Sequence, residues 1–500
     1  MRLILQIHRY LAVAVGLLMT LWCLSGFVML YQAMPELSTE QRLNGLQPLN
    51  LTDCCNIGRI APDDSTPLGN FRIEMLLDEP VLRATVGQES QTISLRTGDV
   101  MPALDQEQIA KVAVIYGIGN NISGSPIVHG IIAMDQWTIQ SARRNQPAWH
   151  IGFNDAAGTE IYINGRSGEV FQQTNRRGRV LAWFGAIPHW LYPTVLRQNG
   201  AVWTEIVVWT SVLGTFLAAT GLYVGISRLR RQRVTNKLKS PYKGWWYWHH
   251  ISGLVFGVLV LTWVFSGLMT MNPWGTLSGS GGVNYRSQLV GTARWSEFWQ
   301  FLSEISNGRS SLLVSDDLVQ ITPAVFDDQL FLMADSRDGE SVRFDRYGQL
   351  APLQISDIDR VVGSLDAPIS SAGLMHKEDL YYYGHKRQVA LPVYRVLMDD
   401  AEQTRIYINI DTGAVRSLGS NGRWSRWIRT GLHDLDFPVL RIRPVWDIVV
   451  ILLLIGVTLV CATGTWMSFK RIRRDILSIR RRFRHKSLRS PLTPYRKTSG

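Results

Sequence analysis

Ten histidines are the residues of this 500-residue chain whose type and placement point to chemistry, and four stand out. His8 and His249 each open an apolar run, HRYLAVAVGLLMTLWCLSG and HHISGLVFGVLVLTWVFSG. His189 and His433 each stand shortly before another such run, in IPHWLYP and GLHDLDFP. Ionisable side chains near or inside a bilayer are costly and mark functional positions by default. One isolated imidazole there reads as a helix cap or an amphipathic interface residue; four at matching positions read differently. Two imidazoles facing each other across a bundle can ligate one haem iron, with the porphyrin filling the apolar space between helices. His8 and His189 lie at opposite faces of roughly 30 Å of hydrocarbon and cannot share an iron. The expected pairs are therefore His8 with His249 and His189 with His433. Each would hold one haem with two histidine ligands, and together they would carry electrons across a membrane. His250 is an alternative to His249, although the repeat described below selects His249; Met269 and Met271 are weaker ligand choices. His129, His150, His376 and His385 show no ligand spacing such as HxxxH and read as surface or core residues, and His485 as solvated.

The histidines need helices to carry them. Residues 11–30 are twenty positions without a charge, enough at about 1.5 Å per residue to cross the hydrocarbon. Further spans are expected at 202–226, 251–271 and 446–467. A cleaved signal peptide is the competing reading of the first run, and its close copy in mid-chain argues against it. Adding 241 places His8 on His249, Gly16 on Gly257, Trp22 on Trp263, Ser25 on Ser266 and Gly26 on Gly267. The repeat continues. EIYIN with Gly168 matches RIYIN with Gly413 at an offset of 245, and Ala219-Thr220-Gly221 matches Ala462-Thr463-Gly464 at 243, as Trp203 matches Trp446. Self-similarity of this kind takes precedence over other readings. The chain reads as two copies of one module, about 1–235 and 242–475.

The expected fold is an α-helical membrane protein with four transmembrane helices, an internal duplication and two α+β extracytoplasmic domains. Its boundaries are a first span at 1–31, α+β domain one at 32–178, an interfacial segment and second span at 179–226, and a basic loop at 227–250. The third span at 251–271, α+β domain two at 272–422, an interfacial segment and fourth span at 423–469, and a basic tail at 470–500 complete it. Within domain one, period-two alternation predicts strands at 71–77, 81–86, 91–95, 136–140, 149–153 and 160–164, a helix at 107–116, and a turn into a further strand at 164–170. Residues 179–195, rich in aromatics and interrupted by Pro188 and Pro193, predict a helix lying on the membrane surface.

The net charge of +12 is not a nucleic-acid signal. Residues 227–243 hold seven Lys/Arg and no acid, and residues 470–500 hold twelve against Asp475 alone, so the remainder is net acidic. Positive charge beside apolar runs marks the cytoplasmic side. Both termini are then expected in the cytoplasm and both α+β domains on the far side. Cys23 and Cys461 lie inside apolar runs and read as small packing residues. Cys54 and Cys55 are adjacent; a disulfide to a partner, a strained one with each other, and an unpaired loop pair all remain open. Gly16, Gly26, Gly257 and Gly267 would let helices or a porphyrin approach closely. Trp183, Trp190, Tyr192, Trp203, Trp424, Trp427 and Trp446 read as an interface belt near the outer face. Arg197, Arg426, Arg429, Arg441 and Arg443 beside them would meet lipid headgroups, haem propionates or an anionic ligand.

In their order, repeated twice, these motifs resemble the PepSY-associated transmembrane family, described as iron-regulated membrane proteins. The resemblance rests on HRY…LSG and HHI…FSG, on EIYINGRSGEV and RIYINIDTGAV, and on IPHWLYP and GLHDLDFP, and it covers nearly the whole chain. It implies two PepSY-like domains and a bacterial inner-membrane location. It also implies a ferric-siderophore reductase with two b-type haems, the ligand positions matching His8, His189, His249 and His433. An electron from a quinol or a separate flavoprotein would cross from the inner pair to the outer pair and reduce ferric iron in a siderophore or other chelate. GIGNNISG lacks the strand–GxGxxG–helix context of a dinucleotide site, so the donor is not encoded here. Two rival readings belong to other classes. One is a haem-free PepSY-domain membrane sensor or protease regulator. The other is a permease, for which four spans are few and no broken span marks a midplane site.

Overall fold

The computed structural model describes residues 2–487 apart from 53, 56–66, 87–88, 233–236, 279–282, 309–316 and 385–387, with side chains described as far as residue 478. Among the described residues four helices are long and apolar enough to cross a membrane: α1 (Arg2–Met29), α2 (Gly200–Arg228), α3 (Trp245–Thr270) and α4 (Val445–Ser487). Hydrocarbon offers backbone N–H and C=O groups no partner, so an uninterrupted apolar run closes its own hydrogen bonds as a helix. The protein is a multi-pass membrane protein. α1 packs against α2 and α4, and α3 packs against the same two, which closes a four-helix ring. Val15, Met19, Leu217, Ala218, Val260, Val457 and Cys461 form its buried middle layer. The helices outrun the expected spans. WWYWHH, placed by the sequence reading in the 227–250 loop, forms the first turns of α3. Apolarity ends at the headgroups, but aromatic residues there continue a helix without penalty.

Beyond the ring the chain is rich in antiparallel sheet. β1 (Phe71–Leu76), β2 (Glu79–Val86) and β3 (Glu89–Ser94) form a meander. β4 (Pro126–Ile132), β5 (Ala148–Phe153), β6 (Glu160–Asn164) and β7 (Val170–Thr174) form a four-stranded sheet in that order. The second half supplies a meander of β8 (Leu318–Phe326), β9 (Gln329–Ser336) and β10 (Ser341–Asp345). It also supplies a four-stranded sheet of β11 (Ile369–Met375), β12 (Val393–Met398), β13 (Arg405–Asn409) and β14 (Val415–Leu418). The turns Leu77-Asp78 and Asp327-Asp328 have positive φ at both residues, the twist that a two-residue hairpin needs.

The two meanders are not separate. β1 pairs with β8, Ile73 opposite Ile321 and Glu74 opposite Gln320, giving one six-stranded sheet ordered β10-β9-β8-β1-β2-β3. The sequence reading treated the two polar blocks as independent domains; the sheet runs across both. One face packs Ile73, Leu82, Ile93, Ile321 and Leu332 on the helix Trp295–Ser306 through Phe298, Phe301, Leu302 and Ile305. In each four-stranded sheet the isoleucines of EIYIN or RIYIN meet a covering helix. Ile161 and Ile163 pack on Ile109, Val112 and Tyr116, and Ile406 and Ile408 on Ile358, Val361 and Val362.

Three local expectations need correction. Residues 136–140 are turns, because Asp135 Oδ1 accepts from the backbone N–H groups of Trp137 and Thr138 and curls the chain. β4 was not foreseen; its Pro126 and Gly130 are tolerated because it is a sheet edge. Segment 179–195 is three short helices, Arg176–Phe184, Ala186–Trp190 and Thr194–Arg197, separated near Gly185 and Pro193. Cys54 and Cys55 are bonded to each other.

Candidate functional site

At one end of the helix ring the imidazoles of His8 on α1 and His249 on α3 face each other, ring centroids 6.4 Å apart. His8 Nδ1–H donates to the Leu217 carbonyl at 3.1 Å, and His249 Nδ1–H donates to the Val460 carbonyl at 3.2 Å. A carbonyl only accepts, so the proton is on Nδ1 and the lone pair on Nε2 in both rings. Each ring meets a glycine, nearest through its Cε1. A Cβ at Gly221 would stand 2.8 Å from His8 Cε1, and one at Gly464 would stand 3.1 Å from His249 Cε1. The repeated Ala-Thr-Gly is therefore a seat. Its glycine admits the ring, and its threonine, Thr463, puts Oγ1 3.1 Å from His249 Nδ1.

At the other end His189 and His433 stand with ring centroids 6.3 Å apart. Ser25 Oγ and Ser266 Oγ each lie 3.1 Å from Nδ1 of His189 and His433. Each serine spends its own proton on a carbonyl of its helix, Trp22 or Trp263, so each accepts from the imidazole. His189 Nδ1 has a second acceptor, the Trp22 carbonyl at 3.2 Å. The indole N–H of Trp203 donates to the Trp190 carbonyl, and that of Trp446 to the Asp434 carbonyl, both at 3.0 Å. Each outer histidine is thus pinned through the residue that follows it. Two residues beyond, Leu191 and Leu435 adopt left-handed φ of 52° and 50°, uncommon for a residue with a Cβ. Burial first, and His433 second, push the His189 imidazole down to about 4, which keeps it neutral.

The spacing of both pairs can be tested against a metal between them. Two imidazoles on one metal put their ring centres about 6.2 Å apart, from metal–nitrogen bonds of about 2.0 Å and about 1.1 Å from each nitrogen to its ring centre. The observed 6.4 and 6.3 Å fit. A cavity of about 250 Å³ holds the inner pair and one of about 550 Å³ the outer pair. Met19 and Val260 line both cavities and form the wall between them. In the outer cavity the buried indole N–H groups of Trp22 and Trp263 meet no acceptor among the described residues. The inner cavity is lined by Arg9, Arg471 and Arg474. Apolar walls with a few unmatched donors suit a flat apolar ring that carries carboxylates.

His250 donates or accepts through both ring nitrogens, to Ser240 Oγ and the Gly225 carbonyl, each at 2.8 Å, so it has none to offer beside His8. His129 and His150 meet in a tilted contact at 4.8 Å on the β4–β7 sheet, and His150 Nε2 lies 3.3 Å from Glu160 Oε2. Burial raises the Glu160 pKa, but His150 and Arg179 outweigh it and hold the carboxyl below its ordinary value. Among the described residues no group of three or more His, Cys, Asp or Glu side chains is arranged for a metal ion. His376 joins neither pair, His385 lies outside the described residues, and so does the His485 side chain. The outer arginines do not line the outer cavity. Arg426 and Arg441 gather on Asp436, Arg443 on Asp447, Arg429 on the Met269 carbonyl, and Arg197 stacks on Tyr192 and Trp203.

The family model described as the PepSY-associated TM region matches residues 5–471. The chain belongs to that family. No significant relative emerges among curated proteins. The matched PepSY-associated TM region contains all four paired histidines and both Ala-Thr-Gly seats. Sequence reasoning assigned a role to the histidines but named Gly221, Gly464, Thr463, Ser25, Ser266, Trp203 and Trp446 without an orienting role. Their signal was present as repetition, and only the three-dimensional contact gives it a meaning.

Proposed function

We propose that the protein is built from two copies of one membrane module. In this reading it holds two b-type haems, one between His8 and His249 and one between His189 and His433. It reduces ferric iron in a siderophore or other chelate outside the bacterial inner membrane, as part of iron acquisition. The observation that carries this reading is the matched state of the four imidazoles. Each gives Nδ1–H to the protein and keeps the Nε2 lone pair for a cavity, which is how a metal-ligating histidine is oriented by its surroundings.

When bound, the haems would supply a one-electron carrier at each face. The residues of the chain do the rest. The Leu217 and Val460 carbonyls and the Ser25 and Ser266 hydroxyls fix the tautomer and the ring plane. Arg9 and Arg474 favour carboxylates at the inner end, where Arg471 is already paired with Asp475, and the Trp22 and Trp263 N–H groups favour acceptors at the outer end. Met19 and Val260 keep water out of the space between the cavities while leaving them only one residue layer apart. The basic loop and tail put both termini in the cytoplasm, where a quinol or separate flavoprotein supplies the electron.

The test is the visible spectrum of detergent-purified protein. The expected result is a Soret and α band that respond to dithionite. His8→Ala or His249→Ala should remove about half of the absorbance, and His189→Ala or His433→Ala the other half. A folded but colourless protein would sink the proposal and leave the haem-free sensor.

A further inference from the structure

On the far side of the six-stranded sheet from its apolar core lies an open polar cleft of about 1010 Å³. Its floor is the face carrying Arg72, Arg83 and Thr92, and one wall is formed by Arg144 and the 164–169 turn with Arg166. The frame is braced. Asn164 Nδ2 donates to Asn145 Oδ1 at 3.2 Å, Gly165 N to the Pro147 carbonyl at 2.7 Å, and Arg83 reaches the Ser167 carbonyl. Arg72 is neutralised by Glu169, and Arg83 by the buried Glu74. Arg144 and Arg166 are exposed and have no ion-pair partner among the described residues. The lining therefore carries uncompensated positive charge within a block whose sequence is otherwise acidic on balance.

The second half shows that the turn itself does not need this charge. The equivalent turn is built the same way, with Asn409 Oδ1 accepting from the N–H groups of Asp411 and Thr412, as Asn164 Oδ1 does from Arg166 and Ser167. Gly413 and Gly168 share a left-handed φ, 75° and 71°. Yet the position matching Arg166 is Asp411, of opposite sign. One turn geometry with opposite charges leaves the arginine to be explained by what it faces.

The position of the cleft supplies that explanation. It shares Arg72, Asn145 and Glu169 with a second cavity of about 370 Å³, and that cavity shares Gln140 and Tyr192 with the outer histidine cavity. Gln140 Nε2 donates to Tyr192 Oη at 3.2 Å, so this pair is the partition nearest the histidines. The geometry points to the cleft as the docking site for an anionic metal chelate, gripped by Arg144 and Arg166 and delivered toward the outer histidine pair past Gln140 and Tyr192. The identity of the ligand as an iron chelate rests on the reductase reading; the cleft and its charge do not.

The test uses full-length protein in detergent and gallium(III) citrate, an anionic chelate that cannot be reduced under these conditions, so that binding is read apart from electron transfer. The wild type should bind it, more weakly as ionic strength rises. Arg144→Gln/Arg166→Gln should weaken binding by about tenfold or more, as expected when charge-assisted contacts are lost, while Arg144→Lys/Arg166→Lys keeps most of it. With ferric citrate as substrate, KM should rise in the glutamine variant with kcat unchanged, the mark of lost uniform binding. Unchanged affinity in the glutamine variant, no binding by the wild type, or equal binding of a cationic gallium trihydroxamate would overturn the site. A wild type that binds gallium citrate but has no dithionite-sensitive chromophore would retain the site and overturn the reductase.

Discussion

An imidazole lying on a helix backbone leaves no room there for even a methyl group. Alanine would gain about 1 kcal/mol over glycine in helix propensity, but overpacking against a fixed ring costs about 1–3 kcal/mol. The contact distance decides which effect wins. At Gly221 the new Cβ would stand 2.8 Å from His8, at Gly464 3.1 Å from His249, and at Gly267 3.4 Å from His433. Gly221→Ala should displace its histidine most, Gly464→Ala less, and Gly267→Ala hardly at all, since the last distance is ordinary van der Waals contact. The readout is the absorbance assigned to the pair each glycine touches, the inner pair for Gly221 and Gly464 and the outer pair for Gly267, lost in that order; an inner-pair band kept as fully in Gly221→Ala as the outer-pair band is in Gly267→Ala would count against the seat. At this scale the sequence was informative about which histidines face each other, because bilayer thickness leaves only two pairings. It was silent about the seats, since a glycine in an apolar run has several uses and only the neighbour selects one.

Helices and strands were legible where a single physical cause sets them. Four apolar runs long enough to span were bound to become helices, and EIYIN forms a strand with the expected bounds, as its repeat RIYIN does at Arg405–Asn409. Helix ends were less legible, because an aromatic or basic residue ends the apolar run without ending the helix, as at Trp245. The joint sheet was not legible at all. Alternation along β1 says which face is buried but not that β8 is the neighbour. Neighbour relations among the helices carry their own prediction. Cys23 on α1 and Cys461 on α4 have Sγ atoms 3.6 Å apart, against about 2.05 Å in a disulfide, so only a small side-chain shift separates them. Mild oxidation with copper phenanthroline should link α1 to α4. After cleavage at a protease site placed between Arg231 and Lys237, the two fragments should migrate together unless reductant is added, and Cys23→Ser should abolish the link. The Cys54–Cys55 bond lies wholly in the first fragment and cannot imitate the result. Fragments that separate after oxidation would contradict the packing of α1 on α4.

Across the whole molecule the two halves are interleaved rather than placed side by side. α1 packs on α4, α2 on α3 and β1 on β8, and each histidine pair takes one member from each half. The peptide link between the halves is then nearly dispensable. Two co-expressed fragments, 1–232 and 237–500, should co-purify in equal amounts on a tag carried by either one, with the spectrum of the intact chain. Recovery of one fragment alone would show that the halves are held only by their connection.

The same interleaving constrains how the protein can be made. His8 and His189 leave the ribosome long before His249 and His433, and Gly464, the seat of His249, comes later still. During synthesis a half-built ring offers any prosthetic group one-sided attachment and a groove open to lipid. On the proposed function, cofactor insertion therefore belongs to a late stage of biogenesis, after the last helix has entered the bilayer, and truncated translation products should emerge empty.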